Sequence, residues 1–447
     1  MPVLRFMNEK KSPPWVDRLY DLISGDEDAR VCKDIPESAC DDQPRNFFAY
    51  LVANLLGKIA DEIGSAKLIL PWLFGLLQVP AVFTGFLVPI REGGVLLPQL
   101  AVAAAVRRMP IRKYVWLLGS VLSALSLFGM AWVALNADGA GAGTAIIAML
   151  IVFSLARGLC SVAAKDVLGK TVSKSRRGRL MGWSSSASGI AVLLLGLWLG
   201  ASQLEQAGVS LFALLLVLGG VLWLAATLAF AAIIEQPGAT EGGGNALTVA
   251  LRQLALLRTD QTLRRFIIVR GLLLSVALAA PFYVLLAQSV SGSNPLGLGA
   301  LIVANGLAAS LSSPFWGHMG DRSSRQVMAL AAAGSGLLGV FTFLAFQLQW
   351  GWVTNAWGIA VIFMLLDMMH GGVRLGRKVY LIDMATAETR AAYVAVSNTV
   401  IGLLMIGGGL VGLLGDWLGA PVTVLALGVM ALVAAFACRW LPEVSEA

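Results

Sequence analysis

Long apolar stretches separated by short polar connections run along most of this chain. A helix that crosses the roughly 30 Å hydrocarbon core of a bilayer needs about 20 apolar residues. Stretches of about that length occur near 68–90, 92–107, 114–136, 143–165, 180–201, 209–234, 266–288, 296–317, 327–349, 354–374, 393–415 and 420–440. The pattern predicts an all-α membrane protein with twelve transmembrane helices.

One amphipathic segment precedes the first of these stretches. Within 46–66, apolar residues recur on one helical face, whereas Lys58, Asp61 and Glu62 lie on the other. This pattern is typical of a helix that lies along the membrane surface. The alternative interpretation is that 46–66 extends the first span.

Composition excludes a soluble protein. Hydrophobic residues make up 57% of the 447 residues and charged residues 13%, whereas soluble proteins carry roughly 25% charged residues. Of the 26 acids, 12 lie within 9–62, which leaves too few to cover a soluble surface. Residues 1–45 lack the pattern of a removable signal peptide, so we expect 1–45 and 442–447 to be polar tails.

The basic residues of the connections predict the orientation. One alternate set of connections holds nearly all of them, at 107–113, 165–179, 252–270, 322–325 and 374–390. Lys and Arg concentrate on the cytoplasmic side of membrane proteins, so we expect both termini to be cytoplasmic and the protein to lie in a cell inner membrane. The net charge of +7 then reflects topology, and a nucleic-acid partner has little support.

The spans divide into two sets of six. The polar segment 235–265 predicts a cytoplasmic linker between bundles at 67–234 and 266–441. An offset of 213 residues aligns the bundles and pairs Gly158 with Gly371, Lys165 with Lys378, Arg177 with Arg390, Ser184 with Ser397, Gly189 with Gly402, and Gly196 with Gly409. The repeat indicates two pseudo-symmetric halves around a central site, an architecture of transporters that alternate between two open states.

A polar loop between the eighth and ninth predicted spans carries a further motif. In "GHMGDRSSRQ", the residues Gly317, Asp321, Arg322 and Arg325 follow the loop signature of the major facilitator superfamily. Ser324 stands where that signature has glycine, and Gln326 where it has a basic residue. With the layout of spans over about 66–441, the chain resembles this superfamily. The resemblance implies two six-helix bundles and transport of a small solute by alternating access.

The signature loop suggests a gate. Gly317 would permit close approach of two helices, and Asp321 would face the start of the fifth span near Arg177. The resemblance implies that this contact latches the cytoplasmic ends together in one state. The alternative is a polar turn whose arginines only follow the charge rule.

The first-half copy of the loop differs. "AVRRMPIRK" keeps Arg112 and Lys113 but has arginines in place of the acid. A reversed pair is therefore expected, with Glu388 at the start of the eleventh span as the acidic partner.

Ionisable residues within the apolar stretches usually mark a pathway or a relay. Arg157 lies in the fourth span, and Asp367 and His370 share a face of the tenth. The resemblance implies that both spans line a central cavity, so we expect Arg157 to bind substrate and Asp367 with His370 to exchange a proton. The alternative is that Arg157 and Asp367 pair with each other or reach for the inner surface.

The remaining candidates lie at the predicted outer end of the second span, where Glu92 occurs with Arg91 and Gln99. No phosphate loop, paired metal ligands or nucleophile–base motif occurs in the sequence. We therefore expect a monomeric secondary transporter in a lipid bilayer, without cofactor, metal or enzyme activity, driven by a proton gradient. The substrate is an unidentified small molecule. A lipid or amphiphile translocator and a membrane-embedded sensor or enzyme are the alternatives.

Overall fold

The computed structural model describes residues 40–96, 106, 108–201, 208–238, 254–292, 294–320, 322–386 and 389–444. Gln99, Asp321 and Glu388 lie outside them. The helices are α1 (Gln43–Ile63), α2 (Ile69–Leu76), α3 (Ala81–Leu96), α4 (Lys113–Asn136), α5 (Gly139–Thr171), α6 (Lys174–Ala201), α7 (Val209–Ala231), α8 (Leu256–Thr259), α9 (Gln261–Leu272), α10 (Leu274–Ser291), α11 (Pro295–Gly320), α12 (Ser324–Gln347), α13 (Ala356–Asp383), α14 (Arg390–Gly408) and α15 (Gly412–Ala437). The predicted all-α class is confirmed.

Nine helical segments in the described part of the chain are long and apolar enough to cross a membrane. The last of them, Ala392–Trp440, bends sharply at Gly419, where φ is +82° and only glycine adopts the backbone easily. It therefore forms two arms, one on each side of Gly419. Together with α1–α2 and α3, this arrangement is consistent with the twelve predicted crossings.

The first two predicted spans are wrong in their bounds. The stretch 68–90 is not one helix, because α2 ends at Leu76 and α3 begins at Ala81, directly after Pro80. Gln78 in the intervening turn has a φ of +53°, which no helix continues through. The apolar run carries on across this turn because Leu77 and Val79 are themselves buried.

The surface helix expected over 46–66 is also wrong. Helix α1 packs against α6 and α7 inside the N-terminal bundle, and it buries Phe47, Tyr50, Ala53 and Ala60. Its polar face points to the molecular centre instead of to a membrane surface. The alternative interpretation, an extension of the first span, agrees better with the structure, although only its first part, α2, follows α1.

The outer surface of the bundle is apolar. Large side chains such as Trp132, Leu228 and Trp417 are exposed, Leu228 and Trp417 by about three quarters of their surface. A soluble monomer rarely exposes so much apolar area, and a bilayer would cover it. The two halves meet chiefly where α3 packs against α14 and where α6 packs against α11.

Candidate functional site

The break between α1 and α2 positions the first central group. Residues 64–68 form turns between the two helices, and they carry Lys67. The Lys67 Nζ forms an ion pair with Asp367 on α13 and donates to Asn305 Oδ1 on α11 at 3.3 Å. The Asp367 side chain is 5% exposed, and its Oδ2 atom has no hydrogen-bond partner within the described residues. The two halves are thus joined through a buried ion pair.

Asp61 is the second central acid, and it binds two arginines. The Arg157 guanidinium donates from Nε and NH2 to Asp61 Oδ2 at 3.1 and 2.8 Å, and Arg91 NH2 lies 3.4 Å from Asp61 Oδ1. Arg157 also lies over the Trp223 ring, with its Cζ 4.3 Å from the ring centroid. The single negative charge of Asp61 therefore compensates part of the two positive charges of Arg91 and Arg157.

These contacts change the roles expected for Arg157 and Asp367. The two do not pair with each other: Arg157 binds Asp61, and Asp367 binds Lys67. Both partners come from 46–76, the region whose helix bounds the sequence pattern predicted wrongly. The sequence did contain a signal for the correct bounds. Pro80 divides the stretch 68–90, so the residues before it belong to one span together with α1, and the residues after it belong to the next span.

The other predicted site residues lie at mid-depth. Arg91 and Glu92 occur about three turns into α3, so they are not at an outer end as expected. His370 is half-buried on α13, within electrostatic range of Lys67 and Arg377. The expected proximity of Asp367 and His370 on one helical face is met.

A hollow adjoins these charges. Glu62 is exposed although α1 packs inside the bundle, and it interacts electrostatically with Lys67, Asp61 and Asp367. An exposed carboxylate at this depth requires open space beside it. A cavity of about 210 Å³ in the N-terminal half lies beside Lys58 and Arg157.

The repeat is visible in the contacts of two cations. Lys58 on α1 donates to Ser184 Oγ at 3.4 Å and to Ser185 Oγ at 2.5 Å. Arg270 on α9 makes the corresponding contacts in the other half. It donates to Ser397 Oγ at 2.5 Å and to Asn398 Oδ1 at 3.2 Å.

The offset of 213 residues that relates Ser184 to Ser397 also relates Ser185 to the acceptor Asn398. The two halves therefore repeat not only residues but also a contact, in which a cation of the first helix is held by neutral groups of the fifth. The sequence pattern had placed Arg270 in a basic connection, and its burial was missed.

The halves are sealed at one end, here termed the closed end, which holds the turns at 77–80, 137–138 and 348–355. A Cβ added at Gly85 would lie 2.6 Å from the Gly412 nitrogen, and one at Gly299 would lie 2.7 Å from the Gly196 oxygen. Asp416 adds a polar contact across the halves, because its carboxylate accepts from the Ala81 and Val82 amides at the start of α3, at 2.5 and 3.0 Å.

The helices separate toward the opposite end, here termed the basic end, which holds 172–173 and 322–323. Gly189 on α6 and Gly306 on α11 lie two turns along from the Gly196–Gly299 contact, and a Cβ added at either would meet no described atom within 4 Å. Gly317 on α11 and Gly178 on α6 lie five turns along from the same Gly196–Gly299 contact, and a Cβ added at either would also meet no described atom within 4 Å. The structure is therefore open at the basic end.

This opening bears on the predicted gate. Gly317 makes no close helix contact here, contrary to the expectation for it, because α6 and α11 have already diverged. Arg322 is exposed, and Arg325 binds the C-terminal segment through Glu443 Oε2 at 3.3 Å and the Leu441 oxygen at 3.0 Å. The expected contact between Asp321 and Arg177 lies outside the described residues on the Asp321 side. Arg177 donates to the carbonyls of Val172 and Gly169.

The first-half loop binds acids of its own half. Arg112 NH1 lies 3.1 Å from Asp166 Oδ2 on α5. The backbone amides of Arg112 and Lys113 donate to the carboxylate of Glu235, whose side chain is fully buried. Glu235 thus caps the start of α4, where a helix favours negative charge. The expected pairing with Glu388 lies outside the described residues.

Comparisons with known proteins agree with this architecture. Residues 272–447 match the Major Facilitator Superfamily. The inward-open xylose transporter XylE from E. coli aligns with a TM-score of 0.64 at 14% identity, over 89% of this chain and 97% of that one. The nucleoside transporter NupG aligns with a TM-score of 0.66 at 13% identity, over 88% and 98%.

The peptide transporter POT in complex with sulfate aligns with a TM-score of 0.66 at 12% identity, over 92% of this chain and 97% of that one. No curated protein matches the chain by sequence. At these identities the alignments show a shared fold, and the predicted resemblance to the superfamily is confirmed.

Proposed function

We propose, from the premise that this chain has the major facilitator superfamily fold, that it is a secondary active transporter of a small polar solute, driven by protons. The structural neighbours described above are named as transporters of xylose, nucleosides and peptides. This favours transport over the sensor and enzyme alternatives. Separation of the halves at the basic end, with contact at the closed end, is the geometry expected of one state of an alternating-access cycle.

The observation that carries proton coupling is the Lys67–Asp367 ion pair between the halves. Its carboxylate retains a buried Oδ2 without a hydrogen-bond partner among the described residues, which is open to a proton. Protonation would remove the charge that holds Lys67, and a buried pair that loses one charge is strongly weakened. Binding of a proton would therefore loosen α13 from the α1–α2 break and favour movement of one half against the other.

Arg91, Arg157 and Asp61 serve a different purpose in this proposal. Because both arginines are held by Asp61, we assign these three residues to a fixed wall of the hollow on the N-terminal side, where Trp223 supports Arg157. Glu62 and His370 face the same region from α1 and α13. A polar solute in the hollow would meet groups from both halves, as alternating access requires.

The test is gradient-driven uptake by Asp367→Asn in proteoliposomes. Xylose, uridine, a dipeptide and succinate are offered to the wild type, and the solute it accumulates is then used. Asparagine keeps the size of the side chain but cannot carry a proton, so accumulation under a pH gradient should be lost. Exchange of labelled for unlabelled solute without a gradient should persist.

Asp383→Asn is the matched control, because it removes an exposed acid from the last residue of the same helix, α13. It should retain accumulation. Accumulation by Asp367→Asn equal to that of the wild type would refute the assigned proton site.

A further inference from the structure

Arg270 is a buried cation held only by neutral groups. Arg270 is 7% exposed, and its described partners are the Ser397 hydroxyl and the Asn398 amide oxygen. The third donor, Nε, is buried without a partner among the described residues. Charged side chains are almost never fully buried unless they are paired, so this guanidinium is an exception that calls for an explanation.

A second arginine lies next to it. Phe266 on α9 stacks on Tyr380 on α13 with ring centroids 5.4 Å apart. Arg270 follows Phe266 by one turn, and Arg377 precedes Tyr380 by about one turn. Because the two helices run in opposite directions here, both arginines lie on the same side of the stacked rings, and the charge of Arg377 acts on Arg270.

The described surroundings do not neutralise this pair. Arg377 makes no hydrogen bond or ion pair within the described part of the chain. Glu92 on α3 acts on both arginines, but it forms no ion pair within 4 Å in that part. Arg374 adds another positive charge on the same face of α13. Arg270 and Arg377 thus share the field of one glutamate, and Arg374 adds to the positive charge beside them.

Of the two arginines, Arg377 is the one that is accessible from the open side. Arg377 is half-buried, and Arg374, one turn nearer to the centre of α13, is exposed. The face of α13 that carries Asp367, His370, Arg374 and Arg377 therefore forms one polar stripe that runs from the central ion pair toward the basic end. An uncompensated arginine pair on such a stripe matches a carboxylate or phosphate, whose oxygens accept from the planar guanidinium in pairs.

We propose that Arg270 and Arg377 bind the anionic group of the transported solute, a carboxylate or a phosphate. This inference rests on the proposed function and names the substrate class of the same central site. Arg270 is the fixed anchor, because Ser397 and Asn398 hold its NH1 and NH2 atoms without neutralising its charge. Arg377 completes the site from the facing helix.

The test is equilibrium binding by the purified full chain in detergent at low ionic strength. Succinate and inorganic phosphate are the probes, and succinamide is the neutral analogue of succinate. Saturable stabilisation against thermal unfolding by at least one of the two anions, and not by succinamide, is expected for the wild type. Arg270→Gln and Arg377→Gln should each weaken that binding about tenfold or more, as for loss of a charged hydrogen bond.

Arg322→Gln is the control, because Arg322 is an exposed arginine at the basic end, and it should bind as the wild type does. Without anion, Arg377→Gln should melt no lower than the wild type, since one of two repelling charges is gone. A residue with a merely structural role would lower the melting temperature instead. Arg270→Lys should recover part of the affinity that Arg270→Gln loses.

Equal anion binding by the wild type and both glutamine variants would overturn the proposal, as would equal stabilisation by succinamide or no stabilisation by either anion. The response to succinate against phosphate distinguishes the two ligand classes. Binding is measured without a gradient, so a failure of proton coupling does not affect it. Conversely, proton-driven accumulation of a neutral solute without anion binding would leave the proposed function standing and refute this site.

Discussion

In each half of the molecule, a cation of the first transmembrane helix is held by equivalent neutral groups of the fifth. The halves differ in whether their central arginines contact a carboxylate. Lys58 and Arg270 are held by neutral groups at repeat-related positions. In the N-terminal half, however, Arg91 and Arg157 share the carboxylate of Asp61. In the C-terminal half, Arg270 and Arg377 have no carboxylate in contact among the described residues. The repeat thus preserves the scaffold, while single substitutions decide which arginines have a carboxylate in contact and which remain available to a ligand.

The largest expected effect is that of removing the acid from the N-terminal half. Asp61→Asn leaves Arg91 and Arg157 without their shared counter-charge. Loss of one partner of a fully buried pair costs roughly 3–5 kcal/mol. Because about a fifth of each side chain is exposed (Asp61 21%, Arg157 20%), we expect a smaller loss of stability, about 2 kcal/mol. Thermal unfolding in anion-free buffer measures it.

The same variant sharpens the comparison, because it would give the N-terminal half the charge state of the C-terminal half. Phosphate should then stabilise Asp61→Asn more than it stabilises the wild type. Glu62→Gln is the control at the adjacent residue, which is exposed and forms no ion pair within 4 Å in the described structure. An Asp61→Asn variant as stable as the wild type would show that the arginines need no counter-charge.

An intermediate effect is expected along the α6–α11 contact. Gly306→Val fits the described state, because no described atom lies within 4 Å of the added Cβ, whereas Gly299→Val meets the backbone of α6. Overpacking costs about 1–3 kcal/mol. Gly299→Val should therefore disfavour the state open at the basic end, and Gly306→Val should retain it by obstructing closure.

Distances between spin labels on the basic ends of α6 and α11 measure both variants. The two substitutions should move the distribution in opposite directions relative to the wild type. A shift in the same direction would contradict the assignment of closed and open ends.

The smallest expected effect distinguishes the two serines of the repeat. Ser397→Ala removes one of two neutral groups that hold Arg270 in place, and we expect about threefold weaker binding of the stabilising anion. Ser184→Ala removes the equivalent group beside Lys58 and should leave that affinity unchanged. Equal losses in both variants would mean that the site spans the two halves equally.

Most of the helices could be predicted from the pattern of apolar residues. The stretches near 114–136 and 209–234 correspond to Lys113–Asn136 and Val209–Ala231. The prediction failed at the first two spans. The charged residues on one face of α1 seemed to exclude this helix from the membrane. In the structure, other helices supply hydrogen bonds and ion pairs to that face. A count of apolar residues cannot detect such partners.

The site was predicted in part. The sequence singled out Arg157 and Asp367, which lie in the central charged cluster of the structure, since an ionisable residue within an apolar stretch stands out. It did not single out Asp61 and Lys67, because they lie beside a stretch instead of within one. Arg270 was assigned to a connection because it lies at the very start of the stretch 266–288, next to the basic residues that precede it. The pairing of Arg157 with Asp367 was a reasonable alternative, but opposite charges at similar depth do not reveal which of several helices faces which.

The sequence by itself determined the class of the molecule, the approximate number of crossings and the internal repeat, because the bilayer selects each segment by its own length and apolarity. Only the tertiary structure decided the pairing of charges. Lys67 and Asp367 are 300 residues apart, and their contact depends on how α2 and α13 lie around a common axis. Which acid neutralises an arginine depends on which helices pack within a few ångströms of it. A local sequence pattern contains no information about that packing.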